Sequence, residues 1–230
     1  SLTDGFSVNF WVNLPTIQNN KEIISAWGNM GLFYIGMEDG NLNIPLDGPS
    51  MGSTISYSLD NYTSQWLNVV FTFDNTNKKL YFNGTLVAST DDAGGPVYDS
   101  GTYNGGAIRF GACNDNCGND FTQLLLDEVA IWNESLTSSE VTALYNSGYG
   151  LSASSNSGDY LSSSNLQGYW NFNEGSGTTL TDLSGNGNNG TINGATWSTS
   201  TGVTTAGSYT YSPTANYNGS DSFVYSVSDG

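Results

Sequence analysis

The chain has no histidine, only 4 lysine and arginine residues together, 2 cysteines, and no apolar run long enough to cross a bilayer. Each shortage closes off a class of function. Without histidine there is no imidazole base for a serine or cysteine triad, and two thiols alone cannot complete a structural zinc site. With 21 acidic residues the formal net charge is -17. Such a surface repels phosphate backbones and anionic headgroups, so nucleic acid is not expected as a partner. The lack of a span of ~20 apolar residues argues against membrane insertion by a helix, and no secretory leader is legible in the residues given.

What is present is strand and turn. Phe6-Ser7-Val8-Asn9-Phe10-Trp11-Val12 places Phe6, Val8, Phe10 and Val12 on one face, the period-two signature of a half-buried strand. The run from Trp66 to Phe73 does the same with Leu67, Val69, Phe71 and Phe73 and is the strongest core strand. Further strands are predicted over 21–27, 31–37 and 41–45, separated by Gly, Asn and Asp turn signals. Asn83-Gly84 stands between two short apolar runs and predicts a two-residue hairpin, because both central positions need positive φ. One helix is legible. Thr137 and Glu140 form a capping box, Leu136 and Val141 flank it as a hydrophobic staple, and Gly148 is expected to end it in the left-handed region. The fold class is therefore all-β, an antiparallel β-sandwich with one short helix, plus a short C-terminal strand pair.

Three stretches taken together carry a resemblance. They are the block from Trp66 through Val87, Ile108-Arg109-Phe110-Gly111, and the strand and helix from Leu126 to Tyr145. In that order they resemble the laminin-G-like, concanavalin-A-type lectin/glucanase jelly rolls of large secreted proteins. A Ser- and Asn-rich link over 152–164 leads to Leu166-Gln167-Gly168-Tyr169-Trp170-Asn171-Phe172 and then Asp182-Leu183-Ser184-Gly185-Asn186-Gly187-Asn188-Asn189-Gly190. In such families this segment opens a domain, whereas here it trails the helix. Either it completes the same sandwich in permuted order or it begins a second copy. Completion is favoured, since no aromatic partner strands follow it, and this sets the jelly roll at 1–198 with 166–198 as the completing pair. The tail from Ser208 to Gly230 resembles the end of cadherin-like, immunoglobulin-type repeats of bacterial surface proteins, so 199–230 reads as a partial repeat within a longer chain.

Candidate chemistry is sparse. The loop from Asp182 to Asn188 alternates oxygen-bearing side chains with glycine, as a calcium loop does. The resemblance implies calcium there, held by Asp182, Asn186 and Asn188 with Asp127 or Glu128 as partner. The competing reading is a tight turn in which Asp182 only caps backbone. Cys113 and Cys117 sit in a polar loop where a short-range disulfide is expected, consistent with export; the neighbouring Asn114 to Asp120 cluster reads as solvated loop. A glycosidase would need two opposed carboxylates across a cleft. Asp127 and Glu128 are adjacent, and successive strand residues are expected on opposite faces, so no enzyme is predicted. Trp11, Trp66, Trp132 and Trp170 occupy strand positions and read as structural, whereas Tyr57, Tyr62, Tyr98 and Tyr103 lie in turn-rich segments and are the candidates for a ligand face. The reading is a secreted, cell-surface, non-catalytic carbohydrate-binding or adhesion module with structural calcium, linked to other domains of the same chain, its ligand a glycan or cell-surface group. The alternatives are an architectural stalk segment and an accessory domain of a polysaccharide-degrading enzyme.

Overall fold

The computed structural model describes residues 5–26, 33–46, 54–91, 107–113 and 121–203. Its strands are β1 (Phe6–Asn13), β2 (Lys21–Ser25), β3 (Tyr34–Glu38), β4 (Asn41–Ile44), β5 (Ile55–Ser58), β6 (Trp66–Phe73), β7 (Asn77–Phe82), β8 (Thr85–Asp91), β9 (Arg109–Phe110) and β10 (Leu125–Trp132). After β10 come helix α1 (Ser138–Tyr145) and strands β11 (Leu166–Trp170), β12 (Thr179–Leu180) and β13 (Gly190–Thr191). They form an antiparallel sandwich: a six-stranded sheet in the order β11-β10-β1-β6-β7-β8 and a five-stranded sheet in the order β5-β4-β3-β2-β9, with β12 and β13 as a short C-terminal pair.

Alternation builds the core. Phe6, Val8, Phe10 and Val12 of β1 and Leu67, Val69, Phe71 and Phe73 of β6 are buried between the sheets against Ile35, Met37, Leu42, Ile44 and Ile55. Phe6 stacks on Phe33 of the opposite layer with ring centroids 5.1 Å apart. The hairpin after β7 turns at Asn83 (φ 50) and Gly84 (φ 72), as the Asn-Gly pair predicts.

The six-stranded sheet buries its outer face as well. Val70, Tyr81, Ala130, Trp132 and Tyr169 pack there against Val141 and Leu144 of α1 and against Tyr160. Trp132 Nε1 donates to the Tyr160 hydroxyl at 3.0 Å, which donates to the Ala153 carbonyl at 2.8 Å, pinning the segment after the helix onto the sheet. Tyr145 stacks on Trp11 at 5.8 Å. The capping box forms between Thr137 and Glu140. The helix ends at Tyr145, earlier than expected. Asn146 adopts the left-handed conformation (φ 49), its backbone amide donates to the Thr142 carbonyl and its side-chain amide to the Gly150 carbonyl at 2.8 Å, so Asn146 makes the stop assigned to Gly148.

β11 joins the sheet that contains β1, pairing antiparallel with β10 through Val129 with Trp170 and Ala130 with Tyr169. Leu180 of β12 is buried in the main core, and Trp197 packs against it. The strands expected over 208–227 lie outside the described residues.

If alternation sets the core, Phe71→Ala is expected to cost about 3–5 kcal/mol in urea unfolding, while Leu86→Ala, on an edge-strand residue 49% exposed, changes stability by no more than about 0.5 kcal/mol.

Candidate functional site

The Asp182 loop folds onto the free edge of β11. One Asp182 carboxylate oxygen accepts from the backbone amides of Tyr169 at 3.0 Å and Ser184 at 2.9 Å, and the other accepts from the Asn188 amide at 2.8 Å. The Asn186 side-chain amide donates to the Leu166 carbonyl at 2.8 Å, and that of Asn188 donates to the Gln167 carbonyl at 2.8 Å. The Leu183 amide donates to the Tyr169 carbonyl at 2.7 Å, and Trp170 Nε1 donates to the Asn188 carbonyl at 3.1 Å. Four outward backbone groups of β11 are thereby satisfied by one loop, which plugs an edge that would otherwise template strand addition. Burial alone would raise the Asp182 carboxyl, but the Ser184 hydroxyl and the surrounding amides outweigh it and hold the group below the usual carboxylate range.

The same contacts bear on calcium. A calcium ion takes six to eight oxygens, with carboxylates facing it. Here the carboxylate of Asp182 faces N–H donors, and the amide nitrogens of Asn186 and Asn188 are turned to strand carbonyls. Among the described residues no three acidic, cysteine or histidine side chains converge on a common point. As arranged, these residues do not fit a calcium shell.

Asp127 and Glu128 are not on opposite faces. The β1–β10 register shifts, with Trp11 opposite Asp127 and Asn9 opposite Ala130, and Glu128 takes φ 50. This bulge inserts one residue, so both acids lie on the helix-covered side while Val129 turns into the core. Both are buried and engaged. Asp127 accepts from the Gly202 amide at 2.9 Å and from the Glu128 amide at 3.0 Å. Glu128 accepts from the Tyr169 hydroxyl, and its carbonyl accepts from the Asn9 side chain at 3.0 Å. Asn9 in turn accepts from Asn68 at 2.9 Å. Burial raises the Asp127 carboxyl against the opposing pull of three amides. Burial, aided by the neighbouring Asp127 charge and opposed by the Tyr169 hydroxyl, pushes Glu128 up to about 7.

Residues 200–203 form a strap over these acids. A Cβ at Gly202 would lie 2.7 Å from Trp11 Cβ and 2.9 Å from Trp66 Cε3, so only glycine passes there. Trp66 Nε1 donates to the Ser200 hydroxyl at 3.3 Å. The strap was not legible, because its meaning lies in where it lands.

The remaining candidates scatter. Tyr57 and Tyr62 each meet Phe82 edge to face, at 5.3 and 5.0 Å, and pack against the main core. Tyr98, Tyr103 and Cys117, with the cluster over 114–120, lie outside the described residues. The Cys113 carbonyl accepts from Arg109 at 2.9 Å. Trp11, Trp132 and Trp170 are buried in the sandwich, as read from their strand positions, with Trp66 half-buried under the strap.

One surface went unnoticed in the sequence. The register of the five-stranded sheet puts Tyr34, Gly36 and Glu38 of β3, Asn41 and Asn43 of β4, Ser56 and Ser58 of β5, Glu22 of β2 and Arg109 of β9 on its outward face. Among the described residues that face carries no aliphatic side chain, and Ser25, opposite Tyr34 and Arg109, is fully buried on it. Its signal was the polar half of each alternation, which was read only for its apolar half.

A model of the concanavalin A-like lectin/glucanases superfamily matches residues 1–142, and a cadherin-like domain model matches 178–230. The second match begins inside the sandwich, since Leu180, Trp197 and Gly202 all pack on it. No curated protein sequence matches at a significant level. Among solved structures, a candidate carbohydrate-binding protein of Bacteroides ovatus is similar at 19% identity and TM-score 0.62, over 84% of this chain and 52% of that one. The botulinum neurotoxin serotype D binding domain is similar at 19% identity and TM-score 0.50, over 63% of this chain and 37% of that one. The chain thus spans about half of the first and about a third of the second, and these likenesses show the fold alone.

Asp182→Ala is expected to cost about 3 kcal/mol, since three amides lose a charged acceptor, as read by chemical unfolding. Glu128 supplies a pH signature. Its folded pKa lies above the unfolded value, so the native state holds the extra proton between about pH 4.5 and 7 and stability falls by roughly 3 kcal/mol as pH rises through that window. The lowered Asp182 carboxyl acts oppositely: its contribution is present above the unfolded value and lost as pH falls below it. Glu128→Gln is expected to remove the decline between pH 5 and 7 and to melt above the parent at pH 8; an unchanged slope would contradict the assignment.

Proposed function

We propose that this chain, which belongs to the concanavalin A-like lectin/glucanases superfamily, is a non-catalytic binding module of a modular extracellular protein, with a glycan or another cell-surface group as ligand. The observation that carries this reading is the fate of Asp127 and Glu128. They are the adjacent acids the sequence offers for such a pair, and both are buried and occupied by the Gly202 amide and the Tyr169 hydroxyl. Glycoside hydrolysis needs one acid to reach a leaving oxygen and another to reach the anomeric centre or its water across an open cleft. Carboxylates sealed beneath a strap and a helix cannot reach either.

Among the described residues no helix is long and apolar enough to cross a membrane. Three further points support the reading. The net charge of -17 disfavours anionic partners. The carbohydrate-binding description of the Bacteroides ovatus protein suggests the ligand class. The cadherin-like match that follows fits a chain of several modules. Export also gives Cys113 and Cys117 a role as a short-range disulfide closing the polar loop between them.

The edge plug performs its task without a cation, because backbone amides already fill the coordination of Asp182. Calorimetric titration of calcium into chelator-stripped protein is expected to give no heat and no shift in melting temperature; saturable binding lost in Asp182→Ala would restore calcium to the loop. The binding role is tested by screening the chain against a glycan array and assaying the retained glycans for cleavage. Retention without release of reducing ends is the expected result. Turnover of any saccharide would overturn the non-catalytic assignment, and absence of retention across the array would favour an architectural segment.

A further inference from the structure

We infer that Asn193 is a modification site, the place where the folded chain converts an asparagine amide to an acid without an enzyme, and that the fold shields the other asparagine–glycine pairs among the described residues. An Asn followed by Gly is prone to this reaction, because glycine has no Cβ to keep its backbone nitrogen away from the preceding side chain. Among the described residues the pair occurs at Asn83-Gly84, Asn186-Gly187, Asn189-Gly190 and Asn193-Gly194. The structure treats them differently.

The first three pairs are held. Asn83 Oδ1 accepts from the Asn68 backbone amide at 3.0 Å, and the Tyr145 ring lies over Gly84, its Cδ1 3.0 Å from where a Cβ would stand. The Asn186 side-chain amide donates to the Leu166 carbonyl at 2.8 Å and to the Ser184 hydroxyl at 3.1 Å. Asn189 Oδ1 accepts from the Asp182 amide at 2.9 Å, and Gly190 is paired with Leu180 between β12 and β13. Each of these side chains must give up its hydrogen bonds before its carbonyl carbon can turn to the glycine nitrogen, so reaction waits on local opening. The shielding matters most at the edge plug, where an acid in place of Asn186 would remove the donor that satisfies the Leu166 carbonyl.

Asn193 has no comparable hold. It is exposed, its side-chain amide reaches the Thr191 carbonyl only at a long 3.4 Å, and a Cβ at Gly194 (φ 81) would meet no atom within 4 Å. The pair opens an exposed arch over 193–196, anchored on either side where the Ile192 amide donates to the Thr178 carbonyl at 2.8 Å and Trp197 Nε1 donates to the Gly177 carbonyl at 3.0 Å. Between those anchors the backbone is free to rotate and open to water. The chemistry needs nothing else. The Gly194 backbone nitrogen bonds to Asn193 Cγ as the Cγ–Nδ2 bond breaks, and the Gly194 amide proton departs with the leaving nitrogen as ammonia. Water then opens either C–N bond of the cyclic imide, giving aspartate or isoaspartate at 193.

The test is to age the whole chain in mildly alkaline buffer, folded and in concentrated urea, and to follow each pair by peptide mapping with mass spectrometry and by isoaspartate methyltransferase labelling. In the folded chain Asn193 should convert about tenfold or more faster than Asn83, Asn186 and Asn189, since each of these must first lose its hydrogen bonds. In urea the four should convert at similar rates, and Asn193→Gln should remove the leading product from the folded chain. Conversion of any of the other three at the pace of Asn193 in the folded chain would overturn the shielding. An Asn193 that converts only once urea is added would overturn the site.

Discussion

The central strands β10, β1 and β6 of the six-stranded sheet are out of water on both faces, and most of the structure follows from that constraint. The sheet's inner face meets the five-stranded sheet, and its outer face meets α1 and the segment that Trp132 and Tyr160 hold in place. Polar groups on the outer face must then be satisfied internally, because buried donors and acceptors without partners are costly. Asn68, Asn9, Glu128 and Tyr169 form a continuous hydrogen-bonded chain for this purpose, in which the Asn68 Oδ1 is left without a partner, with Asp127 beside it closed by the amide of Gly202. The acids that look most chemical in the sequence are therefore part of the sealing.

A sheet built this way still has ends. β11 is an edge strand, and its outward groups are taken up by the Asp182 loop through one carboxylate oxygen, the Leu183 backbone amide and two asparagine side-chain amides. The oxygen-rich, glycine-rich composition that suits a cation loop also suits this task, since Asp and Asn reach backbone groups from tight turns and glycine lets the turns close. The loop and the strap share a consequence for module organisation. Residues 178–203 match the start of a cadherin-like domain in sequence, yet they contribute Leu180, Trp197 and Gly202 to the packing of the sandwich. A cut at 178 would strip the sandwich of its edge plug and its strap together.

Local signals were legible where one element decided the outcome. The alternation of β1 and β6, the Asn-Gly hairpin and the Thr137–Glu140 box each follow from residues within a turn or two of each other. Features decided by a partner strand were not. The bulge at Glu128 exists only in the pairing of β10 with β1, and without it the two acids would have pointed apart as strand periodicity predicts. Asn146 took the left-handed stop from Gly148 because its side chain finds the Gly150 carbonyl. Tyr57 and Tyr62 stood in turn-rich sequence but close over Phe82, because the packing that buries them comes from another strand.

The sealed outer face is tested most directly by native-state hydrogen exchange. The amides of Tyr169 and Gly202, each donating to a buried carboxylate, should exchange only with the free energy of global unfolding, alongside the core amides of β1 and β6. If these two amides exchange by local opening, orders of magnitude faster than the core, the acids are accessible to solvent and the assignment of Asp127 and Glu128 to structure alone is contradicted.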